Sequence, residues 1–240
     1  LSDGICRLKN LKRLKIGYNS KINTLPSSIS DLMKLVYLKM DIDIVELPDF
    51  NLVSLKTLDL SSCYSLKNVD GLANLSNLIS LNLRSCDSLE NVNGIANLSN
   101  LSNLNLSDCD SLKKVGCLVS LPNLITLDLN SCNSLENFDG LANMPNLTTL
   151  DLNYCNSIVS VDSLAKLTNL TTLKLSGCSS LENVDGLANS LNLSNLNLSD
   201  CDSLQNVDGL ANLSNLISLD LRSCDSLQNL RGLSNCKNLI

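Results

Sequence analysis

Leucines along the chain keep a fixed frame. From Leu55 onward they recur as L-x-x-L-x-L, and the frame restarts every 23 residues, so that Leu55, Leu58 and Leu60 return as Leu78, Leu81 and Leu83. The L-x-L portion has period two, which puts its leucines on one face of a short strand and the intervening residues on the other. A second apolar set follows, Leu66, Val69, Leu72 and Leu75 in one copy, and carries the chain back on the opposite side. A repeat of 23 residues leaves little room for a full helix, so this return path is expected to be 3-10 or irregular. Asp70 is expected to act as its N-cap, with Gly71 easing entry into the turn.

Earlier rungs are looser. Leu11-Leu14-Ile16 and Leu35-Leu38-Met40 open repeats of 24 and 20 residues, and Leu239 begins an eleventh rung. Strands from successive repeats should pair in parallel at roughly 4.8 Å. A single repeat cannot cover its own open faces, so neighbours must do so and the stack is cooperative. The expected architecture is an α/β solenoid: a curved right-handed stack of about ten rungs, with a parallel concave sheet and short 3-10 or irregular convex segments. It forms one domain over residues 1–240, irregular over 1–54 and regular over 55–240, and is expected to be cut within a repeat at both ends.

Eight cysteines mark the regular array: Cys63, Cys86, Cys109, Cys132, Cys155, Cys178, Cys201 and Cys224, each 23 residues after the last. Around them runs L-x-x-L-x-L-x-x-C-x-S-L-x-N-V-D-G-L-A-N-L-S-N. This pattern is identified as that of a leucine-rich repeat. Its L-x-x-L-x-L-x-x-C-x-S-L half, together with Leu25-Pro26-Ser27-Ser28-Ile29, resembles the repeats of plant intracellular immune receptors. The V-D-G-L-A-N-L-S-N-L half resembles the short repeats of internalins and of the phosphatase-regulator type. The resemblance implies a concave parallel sheet used to recognise other proteins, without enzymatic activity. It points to the recognition part of a larger intracellular receptor or scaffold in signalling or innate immunity, with an extracellular adhesion or host-contact domain as the alternative.

Composition narrows the chemistry. Leu, Ser and Asn supply just over half of the chain, yet 44% of residues are hydrophobic, enough for a packed repeat and too many for disorder. There is no His, which removes Ser-His-Asp and Cys-His catalysis and His-ligated metal. Six aromatics and a net charge of −6 argue against nucleic acid as partner. No run of eighteen apolar residues occurs, so membrane insertion is not expected. Neither a cofactor nor a small-molecule substrate is expected.

Three sets of residues could carry function. The cysteine column reads as small buried filler, with free thiols that favour a reducing, cytoplasmic location over a secreted or cell-surface one. A straight column also offers zinc two ligands at most. Nine N-x-S/T sequons, at Asn74, Asn97, Asn100, Asn105, Asn146, Asn169, Asn192, Asn197 and Asn212, become glycan candidates in a secreted protein. The outward strand positions form the expected partner-binding face. Its anchor would be Arg13, Lys15, Tyr18, Tyr37 and Lys39, joined further along by Asp128, Asp151, Tyr154 and Lys174. Residues 1–56 carry nine basic and six acidic groups, whereas the remainder carries nine against eighteen. That asymmetry suggests a protein partner with an acidic patch facing the N-terminal rungs.

Some copies break the pattern. Ser190 stands in a slot that is Leu elsewhere and should kink the array locally. Cys117 replaces the Gly and Cys236 a core Leu, and both are expected as small buried thiols.

Overall fold

The computed structural model describes residues 3–17, 22–135, 138–141 and 144–240. Ten strands form one open sheet: β1 (Arg13–Ile16), β2 (Tyr37–Met40), β3 (Thr57–Asp59), β4 (Ser80–Asn82), β5 (Asn103–Asn105), β6 (Thr126–Asp128), β7 (Thr149–Asp151), β8 (Thr172–Lys174), β9 (Asn195–Asn197) and β10 (Ser218–Asp220). Spatial order equals chain order, and all neighbours run parallel. Register aligns like with like: Leu58 faces Leu81, and Asp59 faces Asn82. The inward leucines of β3 to β9 are no more than 2% exposed. Their burial between neighbouring rungs is the main favourable term holding the stack.

The ladder runs on past each strand. Leu60 and Ser62 donate their backbone N–H groups to the carbonyls of Asn82 and Arg84, and the same two bonds recur rung by rung as far as Leu198 and Asp200. To make the second bond, the residue before each column cysteine adopts left-handed backbone. Ser62, Ser85, Asp108, Ser131, Tyr154, Gly177, Asp200 and Ser223 all lie there, with φ between 55° and 72°. Only one of the eight is the glycine that this region favours.

The turn then drives the cysteine inward. Each thiol of the column donates to a carbonyl of the rung before: Cys63 to Met40 at 3.6 Å, Cys109 to Leu83 at 3.2 Å, Cys201 to Leu175 at 3.2 Å. Cys63 through Cys201 are fully buried, while Cys224 at the last rung is half-buried. Burial pushes Cys63 up to about 11, and Cys109, Cys155 and Cys201 up to about 12, from an ordinary 9.0. Burial raises Cys86, Cys132 and Cys178 as well, helped by their neighbouring thiols. These groups are structural filler that also satisfies a carbonyl.

Among the described residues the outer path carries a short 3-10 turn in each rung except that of β2, where residues 41–56 form none. Asp70 is not the N-cap expected of it, because it already lies inside the turn Asp70–Leu72. Val69 holds the N-cap position without a side-chain bond, and the first N–H of the turn, that of Asp70, is instead accepted by Asn68 Oδ1 at 3.2 Å, a bond that Asn91, Asn183, Asn206 and Asn229 repeat. Gly71 and its equivalents serve close packing. A Cβ at Gly94 would strike the carbonyl of Val69 and come within 2.6 Å of the Asp70 Cα, and Gly140, Gly186, Gly209 and Gly232 face the same collision. Cys117 and Ser163 stand where this glycine is missing, and the outer turns that meet there are more loosely packed than those at Gly94 or Gly186. Cys117 is half-buried, less enclosed than expected, because its thiol reaches out to the Val92 carbonyl at 3.2 Å.

A column of asparagines clamps the other side of each return. Asn77, Asn100, Asn123, Asn146, Asn169, Asn192, Asn215 and Asn238 each donate Nδ2 to a carbonyl 24 residues earlier. The clamp persists at Asn192 although Ser190 and Leu191 are exchanged relative to other copies. Ser190 N–H still bonds the Leu187 carbonyl, and Leu193 N–H still bonds Ser190, so no kink forms. The exchange instead leaves the Ser190 hydroxyl buried without a partner and Leu191 52% exposed.

Ser190→Leu is therefore expected to stabilise the array by about 2 kcal/mol, filling the slot and removing the unpaired hydroxyl. Calorimetry should show Tm rising by roughly 4–8 °C. Gly94→Ala is expected to cost about 1–3 kcal/mol through collision with the preceding rung. Gly116→Ala, with nothing near its Cβ, should leave the urea midpoint almost unchanged. Raised thiol pKa values mean that the folded chain holds protons that the unfolded chain loses above its ordinary thiol value. Stability should be intact below about pH 9 and fall as pH rises toward 12, with each buried thiol adding a slope of about 1.4 kcal/mol per pH unit. Urea titrations across that range check the sign.

Candidate interaction face

The outward residues of ten strands form a continuous polar face, and a shallow hollow of about 420 Å³ runs along it from β4 to β8. Down one column stand Asp59, Asn82, Asn105, Asp128, Asp151, Lys174, Asn197 and Asp220. Most of these side chains are already engaged. Each Asp or Asn accepts the backbone N–H two residues on, as Asp128 does from Asn130 at 3.0 Å and Asp151 from Asn153 at 3.1 Å. The bond closes the turn that leads to the cysteine. Lys174 cannot accept it, so Ser176 N–H bonds Asn153 of the previous rung instead, at 2.8 Å.

The column's second oxygens tie rungs together. Asn105 Nδ2 donates to Asp128 at 3.2 Å, and Lys174 Nζ pairs with Asp151 at 2.9 Å. Burial and the Asp151 charge hold the Asp128 carboxyl above its ordinary pKa, against the Asn130 N–H that lowers it. The hydrogen bond from Lys174 to Asp151 raises the lysine. Of the residues expected to present charge here, Asp151 and Lys174 thus pair with each other, while Asp128 is held by neutral donors. They can still offer remaining lone pairs and N–H groups to a partner, together with the flanking Thr126, Thr149 and Thr172.

The N-terminal strands differ. Pairing of β1 with β2 sets Arg13 beside Tyr37 and Lys15 beside Lys39. The Arg13 guanidinium lies 4.2 Å from the centre of the Tyr37 ring, and Lys15 Nζ lies 5.7 Å from it. Such contacts hold a cation through the negative face of the ring. Lys39 turns the other way and pairs with Asp59 at 2.8 Å, a bond that raises its pKa. Burial works to raise Asp59, but the hydrogen bonds from Lys39 and Ser61 prevail and bring it below the ordinary value. Among the described residues, Arg13 and Lys15 have no carboxylate partner. Four of the five expected anchor residues are therefore gathered on one surface; the fifth, Tyr18, lies outside the described residues.

Tyr154 sits apart from that face, in the left-handed turn after β7, and is 52% exposed. The alternation of strand residues gave no sign of this turn column; Gly177, the lone glycine within it, was the available signal. Of the sequon asparagines, Asn100, Asn146, Asn169 and Asn192 belong to the clamp, and Asn105 and Asn197 close strand-end turns. Among the described residues no cluster of His, Cys, Asp or Glu could hold a metal ion, and no helix is long and apolar enough to cross a membrane.

A profile of the family "Leucine Rich repeats (2 copies)" matches residues 145–189. No curated protein matches the sequence. Among solved structures, the leucine-rich repeat domain of the type III effector XopL superposes with a TM-score of 0.65 at 21% identity, over 92% of this chain and 72% of that one. An internalin (inlF) from Listeria monocytogenes gives 0.61 at 19% identity, over 99% and 92%. Internalin C2 from the same organism gives 0.53 at 29% identity, over 85% and 80%. The repeating strand and turn unit, the family profile over residues 145–189 and these superpositions agree that the chain folds as a leucine-rich repeat solenoid.

Proposed function

We propose that the chain is a non-enzymatic protein-recognition module that holds its partner along the sheet face, anchored at the N-terminal strands on an acidic segment. The observation that carries this reading is the pair Arg13 and Lys15, exposed on β1 beside Tyr37 with no carboxylate partner among the described residues. An incoming carboxylate would gain two cations without first breaking an ion pair, and long-range attraction would steer it to that end of the array. The hydroxyl- and amide-lined face beyond would then supply adaptable hydrogen bonds on a rigid frame. Proteins of this fold serve mostly as interaction scaffolds, and the absence of His fits that role.

We place the module inside the cell, in the cytoplasm, as the recognition part of a larger receptor or scaffold. Eleven unpaired thiols support a reducing compartment. A second reading, an extracellular adhesion or host-contact domain, draws on Asn74, Asn97 and Asn212, sequon residues that are exposed and make no side-chain hydrogen bond among the described residues. A thiol count on unreduced, denatured protein from its native source separates the two. Eleven free thiols support the cytoplasm, and oxidised or glycosylated material supports the alternative.

The anchor is tested with an oligo-glutamate peptide as probe. Binding to the unaltered chain should weaken with salt, and Arg13→Glu with Lys15→Glu should weaken it about tenfold or more. Both side chains are exposed, so Tm should barely move. Equal binding by the doubly substituted chain overturns the assignment.

A further inference from the structure

Tyr154 carries a bulky side chain in left-handed backbone, with φ of 57°. This region is uncommon for any residue with a Cβ and a marked outlier for a large one. The backbone bond it serves, from Tyr154 N–H to the Ser176 carbonyl at 2.7 Å, is made equally well by Ser131 and Asp108 in their own turns. Nothing in the fold therefore requires an aromatic here.

The next rung accommodates this ring. Gly177 is the one glycine in the column, and a Cβ on it would lie 2.6 Å from Tyr154 Cε1 and 3.3 Å from Cγ. The ring therefore leans along the column and occupies the space that a side chain at 177 would fill. The ring thus lies against Gly177 of the next rung, and the residue remains half exposed. The hydroxyl has no hydrogen-bond partner among the described residues. The next side chain in the column is that of Asp200, one rung beyond Gly177 and hence about 5 Å further along. Asp200 is exposed and forms no ion pair among the described residues, because Arg222 beside it grips Asp220 through Nε and Nη2. Asp202, two residues on in the same rung, and Asp225 in the next are also exposed and form no ion pair among the described residues.

We propose that Tyr154, seated on Gly177 and facing Asp200, forms a rim platform that takes an arginine side chain of a peptide partner. A planar guanidinium can stack on the exposed ring face and direct its edge at the Asp200 carboxylate, satisfying both groups at once. An ammonium would gain the charge contact but not the stacking. The surroundings favour a cation, since the chain beyond residue 56 carries eighteen acidic groups against nine basic ones. This inference rests on reading the chain as a protein-recognition module. It uses the rim rather than the N-terminal strands, so the two can fail separately.

The test titrates the full chain with oligo-arginine and, in parallel, with oligo-lysine of equal length, following the ring protons of Tyr154 by NMR. Oligo-arginine should shift those signals and bind about three- to tenfold tighter than oligo-lysine. Tyr154→Ala, Asp200→Asn and Gly177→Ala should each remove most of that preference. Gly177→Ala does so without altering charge, by evicting the ring, and seven of the eight column positions already tolerate a Cβ in this backbone. Tyr64→Ala, at another exposed tyrosine, and the Arg13 and Lys15 reversal should leave the preference intact. Should Gly177→Ala fail to fold, the two surface substitutions decide alone. Equal affinity for the two peptides, or a preference that survives Tyr154→Ala, overturns the proposal.

Discussion

Each rung must lie close to its neighbours on the outer side as well as the strand side. Parallel hydrogen bonding sets the strand side, from Leu60 to Asn82 and onward through Leu198 to Asp220. On the return path backbone bonds between rungs are sparser, as from Glu90 to Lys67 and from Gln205 to Glu182, so closeness also depends on other groups: glycine where a Cβ would meet the Val69 carbonyl, asparagine where Asn77 reaches Val53, and, in the turn after the strand, a thiol where Cys109 reaches Leu83. Backbone carbonyls left over by a short 3-10 return are satisfied by side chains of the following rung. The columns of Gly, Asn and Cys are thus one device repeated at different heights of the coil.

The same demand shapes the surface. Asp and Asn recur at the strand ends because an acceptor is needed for the N–H two residues on, and only afterwards can their remaining atoms serve a partner. Where the acceptor is lost, at Lys174, the neighbouring Asn153 takes over and the fold is undisturbed. Departures from structural need are then the informative positions. Arg13 and Lys15, with no carboxylate partner among the described residues, and Tyr154 in a turn that Ser or Asp fills elsewhere, stand out on that ground.

The strands, the leucine columns and the 3-10 return were legible in the sequence because they follow from side-chain periodicity along the chain. What connects one rung to the next was harder to see, since those contacts run perpendicular to the chain and join residues about one repeat apart. Asn68 rather than Asp70 accepts the first N–H of the turn, because the chain is already turning when Asp70 is reached. The exchange at Ser190 reads as a defect in the pattern, yet the backbone bonds and the Asn192 clamp hold the coil straight through it. Pairing of β1 with β2 does bring Arg13, Lys15, Tyr37 and Lys39 onto one surface, while Asp151 and Lys174 pair with each other and Asp128 is held by Asn130 and Asn105.

Cys117 and Ser163 interrupt the glycine column at two junctions, where the outer turns pack more loosely. At the first of them, between the rungs of β4 and β5, the Cys117 thiol reaches the Val92 carbonyl at 3.2 Å and a backbone bridge joins Asn91 to Lys114, so a bonded link stands where the close glycine contact is missing. At the second, between the rungs of β6 and β7, Ser157 donates its hydroxyl to the Leu135 carbonyl at 2.7 Å. The cations of β1 and the Tyr154 rim lie on opposite sides of both junctions. A partner that held both would therefore reach across the two places where hydrogen bonds, rather than the fit of a glycine, join neighbouring rungs on the return path.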